Sequence, residues 1–287
     1  MVKKINFNNL SNYSNKPIKI IDSNLSKYKK KSVPEVWREF ENDKWGKAYK
    51  KFRNKKRVTL NQIDSFFYNK DALEVYLHKN NFYLDSINNI EKKNIKIYSS
   101  VIQKYSNNAS ALVELGAGYG SKILNLSKIK GLSHLPLIAA ELTNSGQNII
   151  RLISKYEEKE VKVGYCDFRS MKIEENLIPE NSIIFTSYAL HYIPKLNNKI
   201  VNFFSKLKPK IVINFEPCYE HFIENKSIYN LMCAKYVLQN DYTRNLISVI
   251  NNGCLKNKCK IINIDKNVSS FSNPFLPISI IEWKPNW

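Results

Sequence analysis

The chain has 287 residues, of which 43% are hydrophobic, so it can bury a sizeable core, and global disorder is excluded. The formal net charge of +20 fits an anionic partner, but the lysines are scattered along the whole chain and the same charge can serve solubility alone. No run approaches the roughly 18 consecutive apolar residues of a membrane span, and the N-terminus is too polar for a secretory signal, so we expect a cytoplasmic protein.

The five cysteines are odd in number and irregularly spaced, which favours free thiols. Cys254 and Cys259 lack a second pair of cysteine or histidine residues at the spacing that a zinc site requires. No cluster of carboxylates that could bind a metal stands out in the sequence either. We therefore expect a reaction that needs no metal.

The first segment is polar and basic. Residues 1–32 are rich in asparagine and serine and end in a lysine cluster at 27–31. We predict an extended or partly ordered arm here, which is either solvated or in contact with phosphate.

The second segment, residues 33–108, reads as a helical N-terminal extension. Pro34 is typical of the first turn of a helix, and further helices are predicted at 63–84 and 94–105. Residues 47–57 mix basic with aromatic side chains, as in a solvated helix with inward aromatics or a nucleic-acid surface.

A strand, a glycine-rich turn and the start of a helix follow at residues 111–124. Gly116, Gly118 and Gly120 let the backbone turn sharply and let a ligand approach the main chain. Their spacing is G-x-G-x-G rather than the G-x-G-x-x-G of dinucleotide binders, and Glu114 stands two positions before the first glycine. A carboxylate there would repel a pyrophosphate and suit a cationic ligand that carries an amino group.

Two further strands end in acidic residues. Residues 135–142 carry Glu141 about 20 positions after the glycine turn, where a carboxylate can accept hydrogen bonds from ribose hydroxyls. Residues 161–168 lead into Asp167 and Phe168. Without a ligand, Asp167 would cap the turn that follows.

The fourth strand and its C-terminal loop are predicted at 182–193. In open α/β sheets, ligands bind beyond the carboxyl ends of the strands. This rule places Tyr188 and His191 at the reacting end, with simple packing as the alternative.

The fifth strand is predicted at 211–217 and carries Glu216 at its end, with His221 shortly after it. These two residues could act as acid, base or substrate-positioning groups, or only line a polar loop. A helical insertion is predicted around 219–250, and two more strands end the chain.

The run from Glu114 to Gly120 resembles the first motif of class I S-adenosylmethionine (SAM) dependent methyltransferases. The resemblance covers residues 109–287, which we interpret as the SAM-binding domain. It implies an α/β fold with a Rossmann-like, seven-stranded sheet whose last two strands form an antiparallel hairpin at the sheet edge. Together with the long helical N-terminal extension, this motif makes the chain look most like bacterial sugar or small-molecule O-methyltransferases.

The resemblance also implies how SAM would bind and be left as S-adenosylhomocysteine (SAH). Asp167 would hydrogen-bond the adenine amino group and Phe168 would pack on the ring, while the extension at 33–108 would cap the site as a lid and help to choose the acceptor. The residues expected to bind the cofactor are Glu114, Gly116, Gly118, Gly120, Glu141, Asp167 and Phe168.

The function that we favour is that of a SAM-dependent methyltransferase (EC 2.1.1.-) acting on a hydroxyl or amine of a small-molecule, sugar or peptide acceptor. An anionic acceptor would suit the basic chain. A hydroxyl acceptor needs a base to remove its proton, whereas an amine needs only to be neutral and oriented. The catalytic candidates are Tyr188, His191, Glu216 and His221.

Two other functions stay open. A nucleic-acid methyltransferase would suit the net charge, but residues 187–190 lack the Asp/Asn-Pro-Pro-Tyr/Phe motif of adenine N6 enzymes. A non-catalytic SAM-fold binding protein is the third possibility, and the intact glycines and Glu141 argue against it.

Overall fold

The computed structural model describes residues 2–22 and 32–287, which form an α/β structure around one mixed sheet with a parallel centre. The lysine cluster predicted at 27–31 lies outside the described residues. The strands, in chain order, are β1 (Lys3–Ile5), β2 (Leu73–His78), β3 (Asn81–Ser86), β4 (Leu112–Leu115), β5 (Leu137–Glu141), β6 (Val161–Asp167), β7 (Lys172–Ile173), β8 (Ile183–Ser187), β9 (Ile211–Glu216), β10 (Cys259–Ser269) and β11 (Ile278–Pro285).

The helices pack on both faces of this sheet. The α-helices are α1 (Lys16–Asp22), α2 (Val33–Arg38), α3 (Trp45–Phe52), α4 (Leu60–Phe67), α5 (Ile87–Ile102), α6 (Ser121–Leu126), α7 (Asn144–Tyr156), α8 (Ile200–Lys206), α9 (Tyr219–Ile223), α10 (Ile228–Gln239) and α11 (Leu246–Leu255). A π-helix joins α2 to α3, and the short 3-10 helices are Phe7–Asn12, Gln103–Tyr105 and Leu190–Tyr192.

The strands lie in the order β1-β3-β2-β10-β11-β9-β8-β4-β5-β6-β7. The central run β6-β5-β4-β8-β9 is parallel throughout, and β11 pairs antiparallel with both β9 and β10. The chain runs outward from β4 through β5 to β6 and then returns to β8 on the other side of β4, so the order switches between β4 and β8, where a crevice opens beyond their carboxyl ends.

Successive side chains of the central strands pack on opposite faces of the sheet. In β4, Leu112 packs in the core on the side of α5 and α7, and Val113 packs in the core on the side of α8 and α11. Both strand neighbours and both faces are covered, so β4 is apolar except for Glu114.

The predicted seven strands are too few, because the described residues form eleven. Seven of them match the expected sheet, β7 adds a short edge, β1 comes from the first segment, and β2 and β3 come from the N-terminal extension. The final hairpin of β10 and β11 is confirmed as antiparallel, but it is not an edge, since β2 continues the sheet beyond β10 through the pair Ser269 and His78.

The helix predicted over residues 63–84 is wrong beyond Phe67. From Leu73 the chain forms the hairpin of β2 and β3, which turns at Lys79 and Asn80 with φ angles of 46° and 61°. Two consecutive residues with positive φ make the type of turn whose twist matches that of a tight hairpin, although neither residue is glycine.

The first residues are also folded onto this part of the sheet. Where we expected an arm, β1 pairs with β3, and Leu10 and Ile20 are buried in an apolar cluster with residues of β2 and α10. No helix among the described residues combines the length and the apolar character required to cross a membrane.

Candidate active site

The glycine turn lies between β4 and α6 and adopts a backbone shape that side chains disfavour. Gly116, Gly118 and Gly120 all have positive φ, at 73°, 57° and 82°. A Cβ on Gly116 would stand 2.5 Å from the Cβ of Ala189, and one on Gly118 would stand 3.2 Å from Trp45 Cζ2. The turn therefore brings bare main chain against the loop after β8 and against α3.

Glu114 lies under this turn and is almost fully buried. Its Oε2 accepts a hydrogen bond from the backbone N–H of Ile123 at 3.0 Å, so it holds one of the free donors of the first turn of α6. Burial raises the pKa of the Glu114 carboxyl to about 8, and the bond from Ile123 opposes this only in part.

Glu141 ends β5 and faces the same turn. Its Oε2 accepts from the Gly118 N–H at 2.8 Å, and its Oε1 accepts from the N–H and hydroxyl of Thr143 at 3.0 and 2.8 Å. Burial raises its pKa, and these bonds favour the ionised form. Oε1 already accepts two bonds, whereas Oε2 accepts one and retains room for a further donor, so the carboxylate is held in place and can still bind a ligand.

Asp167 and Phe168 follow β6. The Asp167 carboxylate accepts from the Arg169 N–H at 2.9 Å and from the Ser170 hydroxyl at 2.8 Å, which is the turn cap that the sequence offered as the alternative. Phe168 is buried against α8, and its ring lies beneath Gly116.

These side chains meet around a small cavity of about 140 Å³. We call it the small cavity, and it is lined by Gly116, Gly118, Glu141, Thr143, Asp167 and Phe168, with Trp37 and Phe40 above them. Five of the seven predicted cofactor-binding residues are thus brought together here. Glu114 lies in the wall of a neighbouring cavity, and Gly120 begins α6 without lining either space.

The neighbouring space is a large cavity of about 540 Å³. Gly116, Gly118, Tyr188 and Tyr192 line both this cavity and the small cavity, so the two adjoin at the glycine turn. A molecule bound in one would therefore lie next to a molecule bound in the other.

His191 lines the large cavity and is buried beside Glu216. Its Nδ1 lies 3.7 Å from Glu216 Oε2, and among the described residues neither atom has a hydrogen-bond partner. The other oxygen of Glu216 accepts from the N–H groups of Ala189 and Leu190 at 2.9 and 3.1 Å. The carboxylate thus holds the loop after β8 with one oxygen and places the other beside the imidazole.

The two other catalytic candidates differ in position. Tyr188 lines both cavities, has a φ of 50° and donates its hydroxyl to the carbonyl oxygen of Leu276 at 3.0 Å. His221 lines neither cavity: it is buried, its Nδ1 lies 2.8 Å from Ser279 Oγ, and burial lowers its pKa to about 4.

The N-terminal extension roofs both cavities with residues that the sequence did not single out as site residues. Trp37 and Phe40 lie over the small cavity, and Trp45 reaches both. Glu41 fixes this roof, because its carboxylate accepts from the N–H of Ser145 at 3.2 Å and from the hydroxyl of Ser145 at 2.8 Å. Ser145 lies in the first turn of α7, where a negative charge is favoured by the helix dipole.

Helix α5 contributes the side wall of the large cavity. Glu91, Asn94 and Tyr98 recur at helical spacing and line it together. Tyr98 stacks on Phe215 with ring centroids 4.1 Å apart, and its hydroxyl lies 3.0 Å from Ser187 Oγ at the end of β8. The spacing of these three residues was a usable signal, since one face of a helix repeats every three to four residues.

Neither a protein-family model nor a curated protein matches this chain. Among solved structures, the chain is similar to magnesium protoporphyrin IX methyltransferase from Synechocystis PCC 6803 with bound SAH, at 12% identity and a TM-score of 0.53, over 89% of this chain and 100% of that one. It is also similar to an O-methyltransferase from Bacillus cereus in complex with SAH, at 14% identity and a TM-score of 0.45, over 68% of this chain and 81% of that one. A small RNA methyltransferase, HEN1, matches over 72% of this chain and 29% of its own, at 14% identity and a TM-score of 0.48.

Proposed function

We propose that this chain, which has the fold of the class I SAM-dependent methyltransferases, transfers a methyl group from SAM to a hydroxyl or amine of a small acceptor. The observation that carries the proposal is the small cavity, in which a bare glycine turn, two acidic strand ends and a buried aromatic ring meet. The large cavity next to it supplies room for an acceptor.

The residues present fit the cofactor. Glu141 is held with an acceptor site left on Oε2 for a ribose hydroxyl, Asp167 lies in the same wall for the adenine amino group, and Phe168 supplies an apolar surface for the ring. Glu114 lies on the side of the glycine turn that faces the large cavity, where a carboxylate suits the amino group of the methionine part. When bound, SAM supplies an activated methyl group on a sulfonium.

His191 is the base that we propose for a hydroxyl acceptor. With Glu216 beside Nδ1, the imidazole is favoured with its proton on Nδ1, which leaves Nε2 to accept the proton of the acceptor. Glu216 then stabilises the imidazolium that forms, and Tyr188 shapes the wall between the two cavities. His221 has no part in this arrangement, because it lies away from both cavities.

Calorimetry with SAM, SAH and NAD tests the cofactor. We expect SAM and SAH to bind and NAD not to bind. Glu141→Gln should weaken SAH binding about tenfold, since charge-assisted bonds to the ribose are lost. The matched control is Glu160→Gln, which changes an exposed glutamate and should leave the affinity unchanged. Tight NAD binding without SAM binding would overturn the proposal.

The role of His191 is tested by turnover at saturating SAM. His191→Gln should lower kcat on a hydroxyl acceptor by about 10² or more while SAH affinity is kept, because a general base is lost and the cofactor site is not. Glu216→Gln should lower kcat and shift the pH profile of the reaction. An unchanged kcat in both variants would assign the protein to acceptors, such as neutral amines, that need no base.

A second candidate function, methylation of a nucleic acid, is favoured by one surface. The basic side chains of α3 and the turn after it are exposed, namely Lys47, Lys50, Lys51, Arg53, Lys55, Lys56 and Arg57. Filter binding of RNA at 50 and 200 mM salt tests it. A steep loss of affinity with salt, together with methylation of the RNA, would favour this function over the first.

A further inference from the structure

The walls of the large cavity are aromatic to an unusual degree. Of the 25 residues that line it, eleven are Phe, Trp or Tyr, and they come from several separate elements of the chain. These rings include Trp45, Phe67, Tyr192, Tyr236, Tyr242 and Phe271. Such rings bind flat apolar molecules by stacking and edge contacts in addition to the hydrophobic effect.

The extension, α10 and the loop before β11 enclose this space. Trp45 packs on Phe67 and Tyr119 with centroids 5.0 and 5.1 Å apart, and Tyr68 packs on Phe271 at 5.6 Å. At about 540 Å³ the cavity falls in the range of about 300–1,000 Å³ that is usual for small-molecule sites. A compact acceptor fits it better than a polymer.

His191 lies in the same aromatic wall. Its ring is 3.9 Å from that of Tyr192 and 4.7 Å from that of Tyr242, measured between centroids. The proposed base is thus surrounded by rings, and an acceptor whose hydroxyl reaches His191 would have its own carbon skeleton against them.

We infer that the acceptor is a planar aromatic compound that is methylated on a hydroxyl group attached to its ring. This inference rests on the proposed methyltransferase function. The phenolic oxygen forms a bond to the methyl carbon as the carbon–sulfur bond breaks, the bonding electrons stay on sulfur to give SAH, and the hydroxyl proton passes to His191. A phenolic hydroxyl has a pKa near 10, so an imidazole can remove its proton during attack far more readily than that of an aliphatic alcohol.

The same walls disfavour a sugar acceptor. A sugar would bring several hydroxyls against the faces of rings such as Trp45, Phe67 and Phe271, which cannot pair with them, and unpaired polar groups oppose binding. Two polar side chains of this wall already have partners: Glu91 accepts from Ser121 Oγ at 3.0 Å, and Lys122 lies 3.9 Å from Glu91 and 5.3 Å from the ring of Phe271.

The test uses the full chain saturated with SAH and two probes of the same skeleton. Calorimetry should find 2-naphthol bound at least tenfold more tightly than decahydro-2-naphthol, its ring-saturated counterpart. With methyl-labelled SAM, label should pass to 2-naphthol and not to glucose.

The variant Phe271→Leu keeps the wall apolar but removes one ring. It should reduce the affinity for 2-naphthol about fivefold and leave SAH binding unchanged, whereas Tyr13→Leu, which changes an exposed tyrosine outside both cavities, should alter neither. Equal binding of the two probes, or binding of neither while SAH binds normally, would overturn the aromatic acceptor and leave the methyltransferase proposal standing. Failure of SAH itself to bind would overturn the proposed function first.

Discussion

At the scale of single residues, the glycine turn allows very little change. Gly116 combines a φ of 73° with contacts that leave no room for a Cβ, because Ala189 lies on one side and Phe168 on the other. The position therefore limits both the fold and the candidate site.

Gly116→Ala should lower the free energy of unfolding by about 2 kcal/mol or more, since it adds backbone strain and a clash with Ala189. It should also abolish measurable SAH binding. Chemical denaturation and calorimetry check the two effects. Gly131→Ala is the control: Gly131 also has a positive φ, of 96°, but its Cβ would meet only the flexible side chain of Gln103, so it should cost stability without affecting SAH.

The buried carboxyl of Glu114 makes stability depend on pH. Its pKa is about 8 in the folded chain against 4.5 when solvated, so between these values the folded state holds a proton that the unfolded state has lost. The stability that this group contributes is complete below pH 4.5 and falls as pH rises towards 8. The free energy of unfolding of Glu114→Gln, measured by denaturant titration, should therefore rise relative to that of the native chain between pH 5 and pH 8. An equal difference between the two proteins at both pH values would contradict this.

The same group should couple cofactor binding to a proton. If the amino group of SAM lies by Glu114, it favours the ionised carboxylate, and a proton is released at pH 7. The binding enthalpy should then differ between phosphate and Tris buffers, which have different ionisation enthalpies. For Glu114→Gln we expect no such difference, and an equal enthalpy in the two buffers for the native chain would place the amino group elsewhere.

At the scale of elements, the roof of the site depends on one contact between the π-helix and α7. The Glu41 carboxylate accepts a hydrogen bond from the Ser145 hydroxyl. Gly46 allows the backbone to pack closely here, since a Cβ at this position would lie 2.2 Å from the Glu41 carbonyl oxygen. Because Trp37 and Phe40 line the small cavity on this side, we expect the roof to slow the release of a bound cofactor.

Glu41→Ala should speed the dissociation of SAH about tenfold, since charge-assisted hydrogen bonds that hold the roof closed are lost. Stopped-flow displacement measures the rate. Asp43→Ala, on the same π-helix, is the matched control, because Asp43 is exposed and pairs only with Lys47 among the described residues. An unchanged rate in Glu41→Ala would mean that the roof does not limit release.

The elements also differ in how far the sequence predicts them. From β4 onward, each strand except β7 was predicted because short apolar runs end in turn residues or acids, and α9, α10 and the start of α11 fall within the helical insertion predicted around 219–250. The hairpin of β2 and β3 was missed. Its alternation of Leu73, Val75 and Leu77 with polar or aromatic neighbours is a two-residue period, but it is short, and its Lys79–Asn80 turn lacks the glycine that usually marks a hairpin.

At the scale of the whole molecule, the site divides into a predictable and an unpredictable half. Glu141 and Asp167 were identified because each follows a strand of one parallel sheet, and such strand ends converge. Trp45 and Phe271 were not identified as site residues, since they meet only through tertiary packing and no local spacing links them. The cofactor side of the site can thus be deduced from sequence order, whereas the acceptor side requires the folded molecule.

The sheet itself explains this division. The strands of the extension lie beyond β10, so the first and the last parts of the chain form adjoining strands. The backbone N–H of Leu77 donates to Ser270 Oγ at 2.8 Å, and that of Ser270 donates to the Leu77 carbonyl oxygen at 2.9 Å. The extension is therefore built into the core.

The residues that line the large cavity are spread along most of the sequence, from Phe40 to Leu276. In sequence order, the residues that line the small cavity end at Ile193, whereas the wall of the large cavity is incomplete until Leu276. A chain cut short between these two positions would retain every lining residue of the proposed cofactor site and lose part of the acceptor chamber.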